Sequence, residues 1–240
     1  MIIIPARAES KRFPKKVLAD IGGLPMVIRT AKQVEKLDSV AIATDSQEIA
    51  DVCKDYGFKA VLTSSSHKSG TDRINEAATI LGLNDDEAII NVQADEPFIE
   101  PSIVEAVINR LNEAKNNKES NILMVSCYNS INSEAAEDPN LVKVVLDAFH
   151  NAIYFSRSKV PFARDGATSY FGHIGIYGFT KRSLQQFCTL DDAPIEDIEK
   201  LEQLRAIYHG FKIAMVKVTS TGFGIDTPED LERAKAIFLK

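Results

Sequence analysis

Short apolar runs of strand length alternate with stretches of helical periodicity, and this alternation limits the chain to a small set of folds. Residues 2–4, 40–44, 59–62 and 88–93 read as strands, mostly continuous in apolar side chains. Between them, residues 25–36 carry the stripe Met26, Val27, Ile28, Ala31 and Val34, with Pro25 at the start. Asp45 reads as the cap of the next helix, with Glu48 three residues on and Ile49, Val52, Cys53 and Tyr56 facing inward. Helices are also expected over 72–81 and 101–115. Strands buried on both faces and separated by helices give a doubly wound, mostly parallel α/β sheet. Ligands of such sheets bind beyond the carboxyl ends of the strands. The loops 7–16, 64–73 and 93–97 each follow an expected strand, so they should share one rim.

The second half changes character. Strands are expected at 122–128, 142–146, 153–156, 173–179 and 212–218, with irregular connections. A helix follows Lys181, and a longer one is expected over 195–209, with Ile198, Leu201, Leu204 and Tyr208 as its apolar face. This pattern predicts a mixed sheet and an arm inserted into a single domain spanning residues 1–240. The last helix has Thr227 as its N-cap, Pro228 at its first position and Asp230 completing the cap.

Composition removes several function classes. The formal net charge of −6 disfavours bulk nucleic-acid binding, which depends on neutralising phosphates. The cationic side chains are nevertheless concentrated at Arg7, Lys11, Arg12, Lys15 and Lys16, against the single acid Glu9, which suits a small phosphorylated ligand. The odd set of Cys53, Cys127 and Cys188 forms no Cys-x-x-Cys pair and points to a reducing compartment, the cytoplasm. No apolar run approaches the roughly 20 residues of a membrane span, and the N-terminal Met-Ile-Ile-Ile-Pro is too short for a signal peptide. A Walker phosphate loop, a Gly-x-Gly-x-x-Gly turn after the first strand and histidines at zinc-ligand spacing are all missing.

Two stretches carry chemistry. The loop from Arg7 to Lys16 can wrap a triphosphate, arginine offering a fork of donors and lysine a point charge; a solvated surface run is the plainer alternative. Asp95 ends the buried run Asn91-Val92-Gln93-Ala94, where a carboxylate is costly unless paired or metal-bound. Asp226 follows Gly222-Phe223-Gly224-Ile225; alone it reads as a turn or cap residue, and with Asp95 it could clamp Mg²⁺ on a nucleotide phosphate.

Taken together, the motifs resemble the CMP-Kdo synthetase (3-deoxy-manno-octulosonate cytidylyltransferase) family almost end to end. The opening Ile-Pro-Ala-Arg with Ser10, Arg12, Pro14, Lys16 and Leu18 is followed by Ser69-Gly70-Thr71-Asp72-Arg73 and Gln93-Ala94-Asp95-Glu96-Pro97. Then come Pro139 to Val145, Tyr154-Phe155-Ser156-Arg157, His173 to Gly178, Leu201 to Arg205 and Gly224 to Leu231, in family order. The resemblance implies transfer of CMP from CTP to Kdo, a sugar of lipopolysaccharide, with one or two Mg²⁺ ions, in a homodimer whose dimerisation or sugar-binding segment is about 129–192. It implies that Arg7, Ser10, Arg12 and Lys16 hold the triphosphate and that Ser69, Gly70, Arg73 and Gln93 line the nucleotide pocket. Arg7, Lys16, Asp95 and Asp226 would be the catalytic set, the two aspartates ligating the metal. Gln93, Arg157, His173, Tyr177, Glu202 and Gln203 would bind the sugar acid, Arg157 at its carboxylate. On pattern alone His173 and Tyr177 could equally be packing residues, and Glu202 and Gln203 helix-boundary polar ones. An 8-amino-Kdo or sialic-acid-like substrate, or a silent nucleotide-binding homologue, are the alternatives. Three positions depart from the family: Ala94 and Lys15 stand where glycine is usual, and the stretch between Arg164 and His173 is short.

Overall fold

Ile2, Ile3 and Ile4 are wholly buried, as an unbroken apolar run requires, and lie in β1 (Ile2–Ala6) of a computed structural model. The structure describes residues 1–8, 13–117, 121–166, 169–219 and 224–239. The chain forms two compact units, Met1–Glu105 with Gly222–Lys240, and Ala106–Thr221.

In the first unit β1 is followed by α1 (Met26–Val34), β2 (Val40–Thr44), α2 (Gln47–Asp55), β3 (Lys59–Leu62), α3 (Gly70–Ile80) and β4 (Ala88–Asn91). The strands pair in the order β3-β2-β1-β4, and every pairing is parallel. Helix α1 buries Met26, Val27, Ile28, Ala31 and Val34, the stripe expected from periodicity. The cap of α2 differs from expectation. Ser46, not Asp45, caps it, its Oγ accepting from the Ile49 amide. Both residue types can cap; the Asp45 carboxylate instead pairs with the buried guanidinium of Arg73, a stronger claim on a full charge than a lone amide.

Helix α4 (Pro101–Asn116) leads the chain into the second unit. There β5 (Ile122–Asn132), β6 (Lys143–Leu146), β7 (Ala152–Ser156), β8 (Ser169–Thr180) and β9 (Lys212–Lys217) make the mixed sheet. Strand β5 runs antiparallel to β8 and parallel to β9, and β6 is antiparallel to both β7 and β8. Helix α5 (Lys181–Cys188) follows β8.

The single long helix expected over 195–209 is two short ones, α6 (Pro194–Glu199) and α7 (Leu204–Tyr208). Lys200 breaks it in the left-handed conformation, φ 54°. Continuation would commit to helix bonds the two carbonyls of this segment that Arg157 uses. Arg157 Nε donates to the Glu199 carbonyl at 2.8 Å, and its Nη2 reaches the Lys200 carbonyl at 3.5 Å. A guanidinium on the last carbonyls of α6 both satisfies them and complements the helix dipole. Glu202 and Gln203 therefore lie in the break rather than on a helix; Leu201, Gln203 and Leu204 are buried while Ile198 and Tyr208 are exposed.

The last helix, α8 (Pro228–Phe238), returns to the first unit. Its start is the expected capping box: Thr227 Oγ1 accepts from the Asp230 amide, and the Asp230 carboxylate accepts from the Thr227 amide. Leu231 and Ala234 of α8 join Ile21, Met26 and Ile225 in one apolar cluster. Among the described residues no helix is long and apolar enough to cross a membrane.

Candidate active site

Because β3, β2, β1 and β4 are parallel, the loops that follow them emerge on one rim. That rim encloses a cavity of about 580 Å³. Arg7 and Lys16 from the loop after β1, Ser69, Gly70 and Arg73 from the start of α3, Gln93 and Asp95 from the loop after β4, and Asp226 before α8 all line it. These are eight residues that the sequence singled out, brought together within one unit. Ser10 and Arg12 lie outside the described residues, as do Gly222 and Phe223.

Lys16 sits at the centre of the charge arrangement. Its ammonium lies 2.6 Å from Asp95 Oδ2 and 3.1 Å from Asp226 Oδ1. The two aspartates are thus held at one cation although they are remote in sequence. Asp95 is fixed through its own backbone, whose carbonyl accepts from the Ile225 amide at 2.9 Å. Asp226 follows Ile225 directly, and its amide donates to Asp230. Two carboxylates meeting at one positive centre are hard oxygen donors of the kind Mg²⁺ takes alongside phosphate and water. The residues present fit that ion as a partner shared with a substrate; among the described residues no cluster of three or more potential ligands exists to hold a metal alone.

The glycine departures have local consequences. Lys15 occupies the left-handed region at φ 53°, the conformation for which glycine is favoured. Its ammonium is directed to Glu48 at 2.8 Å, so its charge belongs to that pair. Ala94 is not among the residues with positive φ, and its carbonyl accepts from Thr30 Oγ1 at 2.9 Å. A side chain is accommodated there without left-handed backbone. Gly70 is different: a Cβ there would lie 3.2 Å from Pro5 Cγ, and 3.9 Å from Gln93 Oε1, closing on the cavity wall. Ser69 caps α3 through the Asp72 amide and donates to the Asp72 carboxylate, so its hydroxyl is committed to the helix start.

Sequence reasoning missed Pro5, Val17, His67 and Lys68, which also line the cavity. The His67 ring is hydrogen-bonded to Glu76, whose carboxyl is held below its ordinary range by that bond and by the Ser64 amide. The signal for His67 was its place two residues before Ser69 in a loop already marked for the rim.

The remaining expected residues belong to the second unit. His173 and Tyr177 lie on β8 with ring centroids 5.6 Å apart. Burial lifts the Tyr177 phenol well above its ordinary pKa, and the nearby Glu202 carboxylate adds to that. The structure therefore brings His173, Tyr177 and Glu202 together. Gln203 is buried, and its Nε2 has no hydrogen-bond acceptor among the described residues. Arg157 donates to the carbonyls of Glu199, Pro139 and Lys200, and its own amide donates to the Glu199 carboxylate. His173 Nε2 lies 2.9 Å from Ser126 Oγ, which reaches the Ile176 carbonyl at 2.8 Å. Since the serine hydrogen goes to that carbonyl, His173 donates from Nε2 and keeps Nδ1 as an acceptor.

Burial pushes the His173 pKa down from 6.5 to about 3, so the ring is neutral in the folded chain. An unfolded histidine takes up a proton near pH 6.5. Folding stability is therefore complete above that pH and falls as the pH drops from 6.5 toward 3. In denaturant unfolding at pH 7.5 and 5.0, His173→Gln is expected to lose less stability on acidification than the parent protein, by about 2 kcal/mol. Equal losses would show that the ring is not buried in its neutral form.

Residues 1–213 match the family described as cytidylyltransferase. A protein of a Nitratiruptor species, named 3-deoxy-manno-octulosonate cytidylyltransferase, is 57% identical over 240 residues, covering the whole of both chains. A protein of the same name from Wolinella succinogenes is 51% identical, with 99% of each chain covered. Among solved structures, a CMP:2-keto-3-deoxy-manno-octonic acid synthetase complexed with CTP superposes with a TM-score of 0.89 at 36% identity, covering 99% of this chain and 97% of the other. On its sequence, its fold and this full-length similarity, the chain belongs to the 3-deoxy-manno-octulosonate cytidylyltransferase family.

Proposed function

We propose that this chain transfers CMP from CTP to Kdo, releasing pyrophosphate, and that it does so with Mg²⁺, as a cytoplasmic homodimer supplying lipopolysaccharide biosynthesis. One observation carries the reading: Arg7, Lys16, Asp95 and Asp226 converge on the cavity that Ser69, Gly70, Arg73 and Gln93 also line. The relatives' names supply the sugar, and the solved relative's bound CTP supplies the nucleotide. The dimer is supported by Phe149, Phe162 and Ile198 of the second unit, each at least 80% exposed on the isolated chain.

The reaction is an in-line displacement. The anomeric hydroxyl of Kdo forms a bond to the α-phosphorus of CTP, the bridging bond to the β-phosphate breaks, and the hydroxyl proton is released. Arg7 and Lys16, with Ser10 and Arg12, bind the triphosphate and offset the charge that gathers on pyrophosphate. Asp95 and Asp226 would hold the metal, which would supply Lewis-acid stabilisation of the phosphate charge and of the ionised sugar hydroxyl. Gln93 places the nucleotide or the sugar. Arg157, its guanidinium already oriented by three carbonyls, meets the sugar carboxylate. His173 Nδ1 accepts from a sugar hydroxyl, the Gln203 amide donates to a sugar oxygen, and Tyr177 and Glu202 bind further hydroxyls. Positioning and electrostatics carry the chemistry, and no protein nucleophile is required.

Purified protein offered each nucleoside triphosphate with a panel of sugar acids should release pyrophosphate with CTP and Kdo. Preference for 8-amino-Kdo or a sialic acid would revise the sugar, and silence with every pair would leave a binding protein. Asp95→Asn is expected to lower kcat at least about 100-fold with an unchanged melting temperature. Normal turnover in that variant would remove Asp95 from the metal site. Arg157→Ala should raise the Kdo KM about 10-fold or more while the CTP KM moves little. A parallel rise in both would take Arg157 out of the sugar site.

A further inference from the structure

Asp45 lies at the end of β2 between the loops that carry the cavity's cations, yet it is not itself part of the cavity wall. Its two carboxylate oxygens serve different elements, the loop after β1 and helix α3. Oδ1 accepts from the Ala8 amide at 3.0 Å, directly beside Arg7. Oδ2 accepts from Arg73 Nη2 at 2.8 Å. The other arm of the guanidinium, Nη1, is held by Thr63 Oγ1 at 2.8 Å and the Ser64 carbonyl at 3.4 Å. The Thr63 amide is in turn bound to the Thr44 carbonyl, next to Asp45. Arg73 is thus clamped along both edges of its fork, with its side chain 4% exposed and that of Asp45 15% exposed. A guanidinium buried to this degree keeps its charge, and a carboxylate beside it offsets the cost of taking that charge out of water.

We infer that Asp45 is a positioning residue of the nucleotide site: one carboxylate fixes both the backbone beside Arg7 and the guanidinium of Arg73, so that the two sides of the cavity are set by a single group. The inference rests on the nucleotide-binding part of the proposed function. Because Asp45 acts through Arg7 and Arg73, its loss weakens CTP and leaves sugar recognition alone. The two bonds are separable by substitution. Asp45→Asn keeps an acceptor for the Ala8 amide and removes the charge facing Arg73. Asp45→Ala removes both.

The test is CTP binding by calorimetry, paired with KM values for CTP and Kdo and thermal melts. Asp45→Asn is expected to weaken CTP about 10- to 100-fold and Asp45→Ala further, with the Kdo KM changed less than about 2-fold. Unchanged CTP binding in the folded variants overturns the inference. So does a Kdo KM that rises in step with the CTP KM, or failure of the near-isosteric Asp45→Asn to fold, since either makes Asp45 a general scaffold residue. The two readings separate in the parent protein. CTP binding without CMP-Kdo formation sinks the proposed reaction and leaves this test standing, whereas absence of CTP binding sinks the nucleotide site itself.

Discussion

Two carboxylates held at one spot repel, by roughly 1–3 kcal/mol at a separation of about 5 Å, and a positive charge between them turns that repulsion into attraction. In this chain the Lys16 ammonium supplies that charge, in contact with both Asp95 and Asp226. Each partner arrives by a different route. Lys16 comes from the turn after β1, Asp95 from the loop after β4, and Asp226 from the segment that precedes α8. The first two are neighbours because β1 and β4 are parallel and paired. The third is brought in by the apolar cluster of Ile21, Met26, Ile225, Leu231 and Ala234 and by the Ile225 amide on the Asp95 carbonyl. The C-terminal helix is therefore part of the site's construction, although among the described residues it is Asp226, just before its cap, that lines the cavity.

The same arrangement explains why the polar groups of the rim depend on one another. Arg73 is satisfied by Asp45, Lys16 by Asp95 and Asp226, and Lys15 by Glu48. Cations gathered to receive a polyanion would repel one another in its absence, and the interleaved acids offset that repulsion. A net acidic chain can in this way carry a locally cationic pocket.

Much of the first unit was legible in the sequence because apolar period and burial agree there. The stripe of α1 and the ends of β2 and β3 follow directly from the positions of Val, Ile, Ala and Leu. The rim residues were legible through motif resemblance, not through periodicity. What escaped was decided by partners far away in sequence. Asp45 and Ser46 are equally competent caps, and only the position of Arg73 assigns one to the helix and the other to the site. The break at Lys200 was invisible for a similar reason. Residues 195–209 keep helical spacing and contain neither glycine nor proline, while the acceptor demand of Arg157 comes from β7 and beyond.

That break is also where local rules fail most densely. Lys200 takes a backbone conformation that disfavours a side chain, and Gln203 buries an amide whose Nε2 has no acceptor among the described residues. Leu201 and Leu204 gain burial there, but apolar gain alone does not require a glutamine to be buried between them. A continuous helix would keep its backbone bonds and could turn Gln203 toward water. Departures of this kind persist where something other than the fold uses the group. Under the proposed function, the buried amide, the neutral His173 with Nδ1 left as acceptor and the carbonyl-bound Arg157 would supply donors and an acceptor to a polyhydroxy carboxylate. The second unit thus gives up local stability at the residues through which it would recognise such a sugar.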